Sequence, residues 1–142
     1  MDPAFWDMSA LVPLCVRRQA GARLRRLVRL YDMVVWWSTP VEMQSAFSRL
    51  HRMGQLTAAE QAAASAALLQ LRGLWREMQP IERIRSEAET LLNRFPLRAA
   101  DSLQLAAAFI WAAGKPQGRV FISGDAQLLQ AAKQLGFQTI EP

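Results

Sequence analysis

The sequence has little of the chemistry expected of a secreted or membrane protein. It holds one cysteine, Cys15, in 142 residues. An internal disulfide is therefore excluded, and we interpret the thiol as a small buried hydrophobe. No apolar run approaches the roughly 18 residues of a membrane span, and the first residues lack the basic and apolar regions of a secretory signal. These absences predict a cytoplasmic protein.

Two common kinds of functional motif are also missing. The single histidine, His51, lies roughly 13 Å along a helix axis from Glu42, so we expect a surface or structural role for it. No GxGxxG or P-loop glycine pattern follows the first apolar segment. A nucleotide-binding protein of the doubly wound class is therefore an unfavourable alternative.

Basic residues outnumber acidic ones and give a formal net charge of +5. Nearly all are arginines, and six of these fall between Arg17 and Arg29. Arginine suits bidentate contact with phosphate, so the excess indicates a polyanionic partner, either nucleic acid or an acidic protein segment. A solvated helix face is the alternative explanation.

Short apolar runs alternate with helical segments along the chain. Four runs have the length of buried strands: "PAFWD", "MVVWW", "RVFIS" and "FQTI". The predicted helical segments are "ALVPLCV", "RRQAGARLRRLVRL", "STPVEMQSAFSRLHRMG", "LTAAEQAAASAALLQLRGLWREM", residues 81–94, "LRAADSLQLAAAF" and "GDAQLLQAAKQLG". Three of them carry start signals: Ser9 is the predicted N-cap of the first, Thr39 is the predicted N-cap of the third, and Thr57 and Glu60 form a capping box at the fourth. This alternation predicts one α/β domain over residues 1–142, built around a parallel sheet.

Four carboxylates share a position in this architecture. Asp7, Glu42 and Asp125 follow apolar strands at their carboxyl ends, where function collects in open parallel sheets. Asp101 joins them if its helix begins at that edge. That helix is apolar on every face, where a carboxylate is costly unless it is paired, hydrogen-bonded or bound to a cation.

Each carboxylate also has a structural explanation. Glu42 can complete a capping box with Thr39, Asp125 can cap a helix, and Asp7 can be a turn residue. A cluster of four carboxylates without a cation would repel itself. Mg²⁺ or Mn²⁺ would remove the repulsion, since both prefer oxygen ligands, and such ions suit phosphodiester hydrolysis.

Four segments in order resemble a known family: "FWDMSALVPL", "STPVEMQSAFSRL", "LRAADSLQLAAA" and "VFISGDAQLLQAA". From near residue 5 to near residue 137 the chain resembles a PIN domain, specifically a VapC-type toxin ribonuclease of a type II toxin–antitoxin system. The resemblance implies a three-layer α/β/α sandwich with a mainly parallel sheet. It also implies an Mg²⁺- or Mn²⁺-dependent endoribonuclease whose cation activates water and whose products carry 5′-phosphate and 3′-hydroxyl ends.

The resemblance further assigns residues to the active site. The catalytic and metal-binding carboxylates would be Asp7, Glu42, Asp101 and Asp125, supported by the hydroxyl groups of Ser9 and Ser123. Both serines keep alternative interpretations, as an N-cap and as a loop residue. Candidate contacts to the RNA backbone are Arg17, Arg18 and Arg98, although Arg98 could instead pair with a carboxylate. Most of the five tryptophans are expected in the core rather than in base stacking.

The resemblance also implies partners. A VapB-like antitoxin would lie over the helices that start at Thr39 and Thr57, whose apolar residues could form its groove or pack only inside the domain. A homodimer is expected as well. Two alternatives stay open: a PIN-domain nuclease in RNA processing outside a toxin–antitoxin system, and a nucleic-acid-binding PIN-like domain with weak catalysis.

Overall fold

The computed structural model describes residues 1–16 and 19–142, in which strands and helices alternate. The strands are β1 (Asp2–Trp6), β2 (Tyr31–Trp36), β3 (Arg76–Met78), β4 (Val120–Ile122) and β5 (Gln138–Ile140). The helices of these residues are α1 (Met8–Cys15), α2 (Ala22–Leu30), α3 (Thr39–Arg52), α4 (Ala58–Arg72), α5 (Glu82–Leu92), α6 (Ala99–Trp111) and α7 (Ala126–Leu135).

All five strands are parallel, in the order β3-β2-β1-β4-β5. The chain runs outward from β1 to β3, then returns to β4 on the other side of β1. This reversal makes the carboxyl ends of β1 and β4 a topological switch point, where open parallel sheets bind their ligands. Phe5 of β1 pairs with Val34 on one side and with Phe121 on the other, so β1 is the central strand.

Both faces of the sheet are covered, which confirms the predicted three-layer α/β/α sandwich. Alternate residues of a strand point to opposite faces. Ala4 and Trp6 pack with residues of α1 to α4, whereas Phe5 packs with residues of α5, α6 and α7. Because both faces are buried, β2 ends in four consecutive buried residues, 33–36, and this explains the unbroken apolar runs of the sequence.

Two helices begin differently from the prediction. The N-cap of α1 is Asp7, whose carboxylate accepts the backbone N–H of Ser9, so Ser9 is not the cap. The N-cap of α3 is Ser38. Glu42 therefore lies four residues after the cap rather than three, and it cannot form the capping box considered with Thr39.

Two further segments depart from the sequence-based boundaries. The arginine-rich helix is shorter than predicted, because α2 begins after Gly21; Arg17 and Arg18 lie outside the described residues. The long helix opened by the Thr57–Glu60 capping box is confirmed, but it ends at Arg72 and is followed by β3. That strand was missed because it has three residues, two of them charged, and carries no apolar alternation.

Several expectations about single residues are confirmed. Cys15 is buried, and burial raises the pKa of its thiol to about 11. His51, in the last turn of α3, hydrogen-bonds through Nδ1 to the carbonyl of Leu56 at 2.8 Å, a structural role that fastens the helix to the chain after its end. Trp37 is the tryptophan that departs from the core, since it is 50% exposed. Within the described chain, no helix is both long enough and apolar enough to span a bilayer.

Candidate active site

Asp7 lies at the switch point, directly after β1. It is almost fully buried, at 3% exposure. Its Oδ2 accepts hydrogen bonds from the hydroxyl of Ser9 and from the hydroxyl of Ser123, the latter at 2.9 Å. Burial raises the pKa of the Asp7 carboxyl, and the serine hydrogen bonds partly offset this. Two hydroxyl groups from opposite ends of the chain therefore fix one oxygen of this carboxylate.

The two serines link β1 to the start of α7. Ser9 Oγ accepts the N–H of Gly124 at 2.8 Å, and Ser123 Oγ accepts the N–H of Asp125 at 3.0 Å. Ser123 is fully buried, whereas a serine in a surface loop is exposed to solvent. Asp125 is the N-cap of α7, because its Oδ1 accepts the N–H groups of Gln127 and Leu128. Asp125 therefore caps α7 and, in the same conformation, donates its backbone N–H to Ser123.

Glu42 reaches the same edge from the first turn of α3. Its Oε2 accepts Ser38 Oγ at 3.0 Å and Gln104 Nε2 at 2.8 Å. Burial raises the pKa of Glu42 to about 6, the charges of Asp7 and Asp101 add to the rise, and the two hydrogen bonds oppose it. The Glu42 carboxylate is therefore held by one donor close to the start of α3 and one on α6. The charges of two other members of the quartet, which is Asp7, Glu42, Asp101 and Asp125, act on its pKa.

Asp101 is the most open of the raised carboxylates. It is half-buried in the first turn of α6, where Ala99 and Ala100 are exposed. Although the helix is apolar on every face in sequence, it is not buried at its start, because the buried part of α6 begins at Ser102. Burial raises the pKa of Asp101, as do the charges of Asp125 and Asp7.

Arg98 acts on Asp101 without forming an ion pair with it. Its guanidinium opposes the rise in the pKa of Asp101. In residues 1–16 and 19–142, the one salt bridge joins Arg85 and Glu82 on α5. Arg98 is exposed at the N-cap position of α6, so its guanidinium remains available to an anion.

The electrostatic contacts join the four carboxylates into one group. Glu42 feels Asp7 and Asp101, and Asp101 feels Asp7 and Asp125. The described hydrogen bonds to Asp7, Glu42 and Asp125 each fall on a single oxygen of the carboxylate. Asp7 Oδ1, Glu42 Oε1 and Asp125 Oδ2 accept none of these bonds, and carboxylate oxygens suit Mg²⁺ and Mn²⁺.

Direct coordination is not preformed in the described part of the chain. No three Asp, Glu, His or Cys side chains there stand close enough together to hold one ion. Mg²⁺ usually keeps several of its waters in protein sites, so a carboxylate set of this kind fits an ion that is bound partly through water.

Sequence reasoning missed Gln104 as a site residue. Its side chain is fully buried, and Nε2 reaches Thr39 Oγ1 at 3.5 Å besides its bond to Glu42. Its Oε1 has no hydrogen-bond partner. The available signal was its spacing: Gln104 lies three residues after Asp101, on the same face of an otherwise apolar helix.

Comparisons with known proteins give a fold rather than a family. No family model matches the sequence, and no curated protein matches it significantly. A chain of a toxin-antitoxin complex from Klebsiella pneumoniae is similar, with TM-score 0.61, 12% identity, and coverage of 87% of this chain and 88% of that one. A chain of FitAcB from Neisseria gonorrhoeae has TM-score 0.61 and 16% identity, with 96% of both chains covered. At these identities the likeness shows that the three chains share one fold.

Proposed function

We propose that the chain is an Mg²⁺- or Mn²⁺-dependent endoribonuclease that acts as the toxin of a toxin–antitoxin pair. The observation that carries the proposal is the hydrogen bonding at the switch point of the sheet: Ser123 joins Asp7 to Asp125, and Gln104 joins Glu42 to the helix that carries Asp101. The fold shared with a chain of a toxin-antitoxin complex supports the biological class.

The residues of the chain divide the work of the proposed reaction. A bound divalent cation supplies activation of water and stabilisation of charge at the phosphate. Ser9 and Ser123 hold Asp7 in one orientation. Asp101 is half-buried beside the exposed Ala99 and Ala100, so a ligand can approach it from solvent. Arg98, exposed one turn before Asp101, would bind an RNA phosphate.

Cleavage assays on the wild type and Asp101→Asn test this proposal. The substrate is a mixed pool of tRNA and rRNA, incubated with Mg²⁺, Mn²⁺ or EDTA, and circular dichroism checks that each protein is folded. The substitution removes the charge with almost no change in shape. We expect cleavage by the wild type only with metal and none by the variant. Asp32→Asn is the matched control, because Asp32 is exposed on β2 toward the amino edge of the sheet.

The outcomes separate the open alternatives. If the wild type binds Mn²⁺ in calorimetry and binds RNA but cuts no RNA, the weakly catalytic nucleic-acid-binding alternative replaces the nuclease. If Asp101→Asn cuts as well as the wild type, or if neither protein binds metal, Asp101 is structural and the proposed activity is wrong. Cleavage without inhibition by any protein encoded beside this one would favour RNA processing outside a toxin–antitoxin system.

A groove between α3 and α4 supports the antitoxin part of the proposal. It has a volume of about 390 Å³ and is lined by Pro40, Val41, Gln44, Ser65, Leu68, Leu69 and Arg72. Val41 and Leu69 are both 70% exposed. Val41 belongs to the first turn of α3, the turn that also carries Glu42, so an apolar segment in this groove would end close to one of the four carboxylates.

Charged substitutions in the groove test the partner. Val41→Asp and Leu69→Asp should weaken inhibition by the protein encoded beside this one, because they place a charge on the apolar contact. Leu92→Asp, at an exposed leucine of α5 on the other face of the sheet, is the control. Full inhibition of both groove variants in a cleavage assay would rule this groove out.

A further inference from the structure

We propose that Gln104 is a positioning residue that orients Glu42 toward the bound cation. The inference rests on the proposed metal-dependent function and deepens it. Gln104 lies on α6 and Glu42 on α3, 62 residues apart along the chain, yet Gln104 Nε2 donates to Glu42 Oε2 at 2.8 Å. This bond ties the first turn of α3 to the helix that carries Asp101.

Two donors meet on the same oxygen of Glu42. Ser38 Oγ approaches Oε2 from the residue that caps α3, and Gln104 Nε2 approaches it from α6. If Ser38 were its only donor, the Glu42 side chain could still rotate about its own bonds, because Ser38 and Glu42 lie at the same end of α3. The second donor, on a separate element, removes that freedom. Glu42 Oε1 accepts neither bond, and it is the oxygen that this inference assigns to the cation.

Folding alone does not account for a glutamine at this position. The side chain is fully buried, and its Oε1 has no hydrogen-bond partner. An unpartnered buried polar atom lowers stability. The residues that follow it, Leu105 to Ala108, are buried and apolar, so an aliphatic side chain would suit the packing. We therefore explain the Gln104 amide by its Nε2 group, which donates to Glu42.

The chain supplies a matched control on the same helix. Ser102 is also a fully buried polar residue of α6, but its hydroxyl donates to the carbonyl of Ala88 on α5 at 2.6 Å. It therefore fastens α6 to its neighbour and does not touch a carboxylate of the quartet. Loss of Ser102 and loss of Gln104 should differ in metal binding if Gln104 positions Glu42.

Calorimetric titration with Mn²⁺ tests the inference on wild type, Gln104→Leu, Gln104→Asn and Ser102→Ala. We expect the Leu and Asn variants to bind Mn²⁺ about 10-fold more weakly, as is usual when a group that orients a ligand is removed. Asn is one methylene too short to reach Glu42. Ser102→Ala should be less stable in urea but should bind Mn²⁺ like the wild type.

A second measurement does not depend on the variants folding. The side-chain ¹⁵N–H resonances of Gln104 in the wild type should shift when Mg²⁺ is added, because the amide bonds directly to a carboxylate at the site. Wild-type affinity in Gln104→Leu together with an unmoved Gln104 resonance would overturn this inference and leave the nuclease proposal standing. A wild type that binds no Mn²⁺ would overturn both.

Discussion

At the residue scale, the described hydrogen bonds to Asp7, Glu42 and Asp125 fall on one of the two oxygens of each carboxylate. Asp7 depends most on this arrangement, because it is nearly fully buried and its Oδ2 takes the bonds from both serines. Ser123 serves two groups at once, as donor to Asp7 and as acceptor for the Asp125 N–H. The hydroxyl groups therefore influence both stability and orientation.

Removal of the Ser123 hydroxyl should destabilise the protein. Ser123→Ala leaves the N–H of Asp125 without its acceptor and removes a donor from the buried Asp7 carboxylate. We expect the free energy of unfolding to fall by about 1–3 kcal/mol, measured by urea denaturation in EDTA. Ser45→Ala, at an exposed serine of α3, is the control. An equal, small change in both variants would contradict the role given to Ser123.

Neutralising Glu42 should stabilise the metal-free protein at neutral pH. Its pKa is raised from 4.5 to about 6, mainly by burial. Between these two values the folded state keeps a proton that the unfolded state loses, so stability falls as pH rises through this window. Glu42→Gln removes this loss, by on the order of 1 kcal/mol once partial exposure to solvent is allowed for.

Urea denaturation from pH 4 to pH 8 in EDTA measures this effect. Glu42→Gln should show a flatter dependence on pH than the wild type, and Glu89→Gln, at an exposed glutamate of α5, should follow the wild type. The raised pKa values of Asp7 and Asp101 have the same sign, so some decline toward neutral pH should remain. A glutamine variant less stable than the wild type at pH 7 would contradict the sign.

At the element scale, each carboxylate stands at the beginning of a helix. Asp7 and Asp125 are the N-caps of α1 and α7, and Glu42 and Asp101 lie in the first turns of α3 and α6. Helix N-termini carry free N–H groups and partial positive charge, which stabilise nearby anions. Four such ends at one edge of the sheet partly offset the repulsion within the quartet.

The opposite end of α7 depends on glycine. Gly136 ends the helix with φ +115, and a Cβ there would meet Gln117 Nε2 at 2.8 Å. Gly136→Ala should lower the free energy of unfolding by about 1–3 kcal/mol, measured by urea denaturation. Gly21→Ala is the control, since Gly21 has ordinary backbone angles and open space around it. Equal stability of the two variants would show that the backbone at Gly136 adapts.

At the scale of the whole molecule, the four carboxylates of the candidate site lie in a protein of positive net charge. The net charge is +5, and α2 carries four exposed arginines: Arg23, Arg25, Arg26 and Arg29. A polyanion would be attracted by this surface, while a cation would be needed to admit its phosphate to the carboxylates. The two features are complementary in the proposed metal-dependent ribonuclease.

RNA binding should therefore depend on salt through α2. In an Asp101→Asn background that prevents cleavage, Arg26→Gln/Arg29→Gln should reduce the slope of log affinity against log salt by about 1 for each of these arginines that binds a phosphate. Arg83→Gln/Arg94→Gln, on α5 and just after its end, changes the net charge equally across the sheet. Fluorescence anisotropy at several salt concentrations measures the slope, and equal slopes in both double variants would exclude α2 as the RNA surface.

The sequence by itself determined the three layers of the α/β/α sandwich and the edge of the sheet at which the four carboxylates lie. Buried strands and capped helices leave local signals, because apolar runs, capping boxes and terminal glycines act within a few residues. Only the tertiary structure decided which groups hold one another. Ser123 reaches Asp7 across 116 residues and Gln104 reaches Glu42 across 62. Such contacts arise where separate helices meet at the switch point of the sheet, so a local pattern can single out Gln104 on its helix but cannot name the partner that it holds.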